Sequence, residues 1–110
     1  MANDAEPTPI RVPDGLRGLD PAAIAALRDV REELERLGGL DERAIELVRF
    51  GALIALGAPS ESFTAHVTRA QAIGMTADEI WGAVLAVAPL VGVPRVIAAV
   101  PAIRAALGQD

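Results

Sequence analysis

The sequence predicts an all-α fold of about five helices, and three observations carry that expectation. Apolar residues recur at spacings of three and four, which line one face of a helix. Capping residues open these runs (Asp20 with Pro21, Asp41, Thr76) and glycines close them (Gly38-Gly39, Gly57, Gly74, Gly92). No stretch sustains the alternation of a half-buried strand.

Residues 1–19 contain three prolines and two glycines and read as an N-terminal arm, extended or disordered at its start. Ile10, Val12, Leu16 and Leu19 give it apolar points for docking on the body or on a neighbouring subunit. Residues 20–110 read as one helical domain, since 110 residues support no more than one. The first helix opens with Asp20 as N-cap and Pro21 at the first helical position, and stops at Gly38-Gly39. Ile24, Leu27, Val30, Leu34 and Leu37 form its apolar stripe. Arg28, Glu32 and Arg36, with Arg31 and Glu35, are spaced for pairing along the other side, which reads as a solvated face.

Asp41 caps a second helix that reaches about residue 56, charged in its first half and apolar on every side in its second. A third helix spans about 61–73. A fourth, about 77–91, opens with a capping box of Thr76 and Glu79 and is apolar nearly all round afterwards. A fifth, about 94–107, carries Pro101 inside it, where a kink is expected. Helices apolar on all faces must be buried on all faces. One small domain cannot surround two such helices, so residues 50–56 and 80–91 predict self-association.

Composition excludes several kinds of chemistry. All ten basic residues are arginines, so no lysine is available for a Schiff base. Without cysteine there are no disulfides, thiolate ligands or thiol redox steps. One histidine, His66, rules out a multi-histidine zinc site within a subunit. A net charge of −5 repels phosphate backbones, and three aromatic residues give bases little to stack on, so no nucleic-acid partner is expected. No apolar leader opens the chain, and its longest uncharged run, 80–94, is shorter than the roughly 20 residues that span a bilayer. The expectation is a cytoplasmic protein with no membrane partner.

His66 shares a stripe with Phe63, Val67, Ala70 and Ile73, so it faces inward. Read from the residues alone, it is either a hydrogen-bonded core histidine or a catalytic one. Ser62 lies one turn before it, but no G-x-S-x-G elbow is present and no triad is assigned. From His66 onward the chain runs H-x-x-x-A-x-x-x-G-x-T-x-x-E-I and then G-x-P, with His66, Ala70, Gly74, Thr76, Glu79, Ile80, Gly92 and Pro94 in those places. This order resembles the carboxymuconolactone decarboxylase family, within the alkylhydroperoxidase-like superfamily. The resemblance covers about residues 40–106.

The resemblance implies a homo-oligomeric ring, commonly a trimer or hexamer of helical subunits, and a cofactor-independent decarboxylase or lyase acting on a small lactone acid or dicarboxylic acid. It places His66 at the family's histidine. It places Glu46, in I-E-L-V, at a glutamate that faces the histidine across a pocket. By spacing alone, Glu46 reads instead as a surface glutamate paired with Arg43 or Arg49. Arg49 and Arg69, each close in sequence to one of the pair, are candidates for holding a substrate carboxylate; either can equally be an exposed helix arginine. No metal or organic cofactor is implied.

The sequence departs from the family pattern at two places. The C-x-x-C of the peroxide-reducing branch is replaced by Pro59 and Ser62, so thiol peroxidase chemistry is excluded. Polar positions of the decarboxylase branch are Gly82, Ala86 and Leu90, which implies a less polar pocket or a non-catalytic oligomeric protein that binds a small ligand or serves as an assembly module.

Overall fold

The computed structural model describes residues 14–109, and these form five α-helices with no strand among them. They are α1 (Pro21–Gly38), α2 (Glu42–Leu56), α3 (Ser60–Ala72), α4 (Ala77–Val91) and α5 (Val93–Ala106). The expected boundaries hold to within a residue because the caps are the ones the sequence supplies. Asp20 Oδ1 accepts from the Ala22 N–H at 2.8 Å, and Asp41 Oδ1 from the Ala44 N–H at 2.7 Å. Thr76 and Glu79 complete the capping box in both directions. Gly57 closes α2 in the left-handed region, φ 65°, where the Arg95 guanidinium lies over it and leaves no room for a Cβ.

The body is a packed set of four helices, α2 to α5. α2 lies against α4, α3 against α5, and α2 also touches α3 and α5. Their shared core is Phe50 and Ile54 from α2, Phe63 and Val67 from α3, Ile80 from α4 and Ile103 from α5. Removing each such side chain from water contributes about 1.5–3 kcal/mol. Gly51 lets α2 and α4 approach closely, since a Cβ there would stand 3.0 Å from Val87 Cγ1. Pro89 and Pro101 lie inside α4 and α5, and both occupy exposed positions.

α1 is attached differently. It buries none of its residues. Its apolar stripe points outward, with Leu27 60% and Leu34 61% exposed. The side turned toward the body carries Ile24, Arg28, Arg31 and Glu35. The expected solvated face is therefore wrong for Arg31 and Glu35. Each satisfies the other only loosely at 3.7 Å, and Glu35 finds a closer partner on α2.

The all-round apolar helices are not fully covered within one subunit either. Val48, Leu56, Leu85 and Leu90 remain exposed, Leu90 at 87%. Of the arm, Asp14–Leu16 form a single 3-10 turn, whose Gly15 N–H donates to Glu61 Oε1 on α3 at 2.9 Å. Ile10, Val12 and the expected extended start of the arm lie outside the described residues. No described helix is long and apolar enough to cross a membrane.

Candidate functional site

Glu46 is buried, 6% exposed, in the second turn of α2. A carboxylate this far from water needs partners, and it has them on two sides. Oε1 lies 2.9 Å from His66 Nδ1, and Oε2 is 3.7 Å from an Arg49 guanidinium nitrogen. The surface reading of Glu46 fails because α3 packs over this turn of α2 and brings His66 onto it from twenty residues away. Arg43, the other expected partner, reaches Glu79 on α4 instead.

Burial pushes the Glu46 carboxyl up. The His66 hydrogen bond and the charges of Arg49 and Arg69 outweigh it and hold the group below the ordinary carboxylate value. Glu46 is therefore ionised at neutral pH. An ionised carboxylate at this distance makes Nδ1 the donor and leaves Nε2 as the exchangeable nitrogen of the ring. Nε2 has no hydrogen-bond partner among the described residues, and the imidazole is 17% exposed. Phe50 presents an edge-on contact to the ring, centroids 6.3 Å apart, which fixes its plane.

Beside Glu46 opens a pocket of about 250 Å³ between α1, α2 and α3. Arg31 and Glu35 line it from α1, Glu42, Ile45, Glu46 and Arg49 from α2, and Arg69, Ala72 and Ile73 from α3. Arg49 is held by Glu35 Oε2 at 2.6 Å. Among the described residues no carboxylate lies within ion-pair distance of Arg69, so it faces the pocket as an unpaired cation. Burial, followed by repulsion from Arg31, loosens its proton, while Glu46 and Glu35 pull the other way. A guanidinium stays charged at neutral pH even so.

A family model described as the carboxymuconolactone decarboxylase family matches residues 21–105, from the start of α1 to the end of α5. The chain belongs to that family. No curated protein and no solved structure matches it. The family match takes in α1, which the motif resemblance, beginning near residue 40, had left out.

Among the four residues singled out from the sequence, Glu46, Arg49 and Arg69 line one pocket. His66 joins them through Glu46 and is not part of the pocket wall. Ser62 makes no hydrogen bond to His66, and its N–H bonds to the Pro59 carbonyl at the start of α3. Gly82, Ala86 and Leu90 are exposed on α4 and do not line this pocket, whose wall combines charged side chains with the apolar Ile45, Ala72 and Ile73. Sequence reasoning missed Arg31, Glu35 and Glu42. One signal was present: Ile24, Arg28, Arg31 and Glu35 also recur at three and four, which marks a second possible inward face of the first helix. Among the described residues no group of three or more His, Asp or Glu side chains is disposed to hold a metal ion.

Proposed function

We propose that the chain takes a small lactone acid or dicarboxylic acid into the pocket between α1, α2 and α3 and acts on it as a cofactor-independent decarboxylase or related lyase. The position of Glu46 carries this reading. It is buried, lies on the pocket wall and is hydrogen-bonded to His66, while Arg49 and Arg69 line the same cavity. Arg69 is the cation best placed to receive a substrate carboxylate, through two parallel N–H donors. Arg49 is the second.

Decarboxylation breaks the bond between a ring carbon and its carboxyl carbon. CO₂ leaves, and the bonding electron pair passes through the conjugated system onto the lactone carbonyl oxygen. The resulting dienolate needs hydrogen-bond donors at that oxygen and a proton returned to carbon. The Glu46–His66 pair handles that proton: Glu46 holds Nδ1, and Nε2 passes a proton to the carbon and takes its replacement from water.

A second reading rests on His66 lying off the pocket wall. A non-catalytic member would bind the acid with its arginines alone. Turnover of carboxymuconolactone and related lactone acids separates the two. His66→Gln is expected to keep the fold and lower turnover by roughly 10²–10⁴-fold, the usual worth of a positioned acid or base. Binding by the unmodified protein without turnover of any lactone acid selects the second reading.

Self-association is part of the proposal. The outward stripe of α1, with Leu85 and Leu90 of α4, leaves apolar surface that a second copy of the chain would cover. A trimer or hexamer is expected by light scattering at micromolar concentration; a well-folded monomer contradicts it.

A further inference from the structure

We infer that Glu35 stands, within the chain, where a ligand's second carboxylate binds, and so competes with diacids for Arg49 and Arg31. The inference rests on the reading of the pocket as a carboxylate site. It makes Glu35 a specificity-determining residue that α1 contributes.

Three guanidiniums line one cavity, and two of them already share a carboxylate. Glu35 Oε2 takes Arg49 at 2.6 Å and lies 3.7 Å from Arg31 Nε. Arg69 has no such partner among the described residues. The three cations are thus unequal. A first carboxylate meets Arg69 without displacing anything. A second one, to reach Arg49, must take the place of Glu35.

The surroundings of Glu35 permit that exchange. α1 buries no residue fully and turns one large apolar side chain, Ile24, toward the body, so little apolar packing pins the helix where its carboxylate now sits. The Glu35–Arg49 pair is partly open to water, with 29% and 26% of its side chains exposed, so it is screened and yields to a charged ligand that brings two carboxylates at once. At about 250 Å³ the cavity suits a small acid rather than a larger ligand.

The consequence is a difference between acids of one and two carboxylates. A monoacid uses Arg69 and feels Glu35 only through its charge across the pocket, without having to displace it. A diacid must displace it. The matched probes are sorbate and muconate, which share a six-carbon diene skeleton and differ by one carboxylate. Titration calorimetry on the full chain should show Glu35→Gln binding muconate about tenfold more tightly, the scale of one charge-assisted hydrogen bond. Sorbate, which displaces nothing, should gain much less, and an equal gain for both acids would overturn the inference. Glu33→Gln, the same charge change at an exposed pair with Arg36 on the same helix, should alter neither.

Muconate affinity unchanged or weakened by Glu35→Gln overturns the inference and leaves the carboxylate pocket standing. An equal gain from Glu33→Gln also overturns it, since the effect would then be net charge. Failure of every form to bind either acid removes the pocket reading and this inference together. Should Glu35→Gln not fold, Glu35→Asp carries the comparison: its shorter carboxylate keeps the charge but reaches Arg49 less well, and a smaller gain for muconate alone is expected.

Discussion

The four-helix body and α1 are held by opposite means. α2 to α5 meet through Phe50, Ile54, Phe63, Val67, Ile80 and Ile103, all essentially without solvent contact. α1 meets them through Arg31 and Glu35 and turns Leu27, Val30, Leu34 and Leu37 outward. The first arrangement gives stability and holds Glu46, His66, Arg49 and Arg69 in place on α2 and α3. The second gives little stability but builds the charged wall of a pocket. A helix that buried its apolar stripe against the body would fill that place with leucines. By facing its charges inward, α1 forms one wall of the pocket and leaves its stripe exposed.

The comparison predicts unequal mutational costs. Phe50→Ala should destabilise by about 3–5 kcal/mol, through lost burial and the cavity left behind. Leu34→Ala, in a subunit on its own, should change stability by no more than about 0.5 kcal/mol. Denaturant unfolding at several protein concentrations checks both. A Leu34→Ala cost that grows with concentration sharpens the account, because a second copy then covers the stripe. A large, concentration-independent cost breaks it, because α1 would then be packed within its own subunit.

Acid should act through Glu46, the one buried carboxylate among the described residues. Glu46 titrates lower in the folded chain than its ordinary value of 4.5, with His66, Arg49 and Arg69 facing it. Its contribution to stability is therefore complete above about pH 4.5 and is lost as pH falls through the lowered folded value. Glu46→Gln should flatten that part of the stability–pH curve. An unchanged curve would mean that the carboxylate is not held as described.

A modest effect is expected at the α2–α4 contact. Gly51→Ala should cost about 1 kcal/mol, since Val87 must give way to the added methyl. A neutral or stabilising result would show that the two helices are less closely packed than the body of the account requires.

The elements of the fold were legible in the sequence because helix ends are local. Asp20, Asp41, Thr76, Glu79 and Gly57 act on backbone groups a few residues away. The site was legible only in part, because its partners are distant in sequence. Nothing within a turn of Glu46 reveals that His66 will reach it, and the local partners Arg43 and Arg49 suggested an exposed residue. Glu35 misled for the same reason. Its spacing from Arg31 offers a local pair, yet the shorter contact is to Arg49 on another helix. The motif resemblance supplied His66 and Glu46, and physical reasoning on carboxylate binding supplied Arg49 and Arg69. The inward turn of α1 depended on which of two three-and-four stripes would win.

We propose above all that the pocket behind α1 is a carboxylate site anchored by Arg69. The most direct measurement is the affinity of the chain and of Arg69→Gln for a small dicarboxylate, with circular dichroism to verify the fold. Loss of one charge-assisted contact at a partly buried cation predicts binding weaker by about 10–100-fold with helical content intact. Equal affinity for both proteins would place the acid elsewhere and contradict the account.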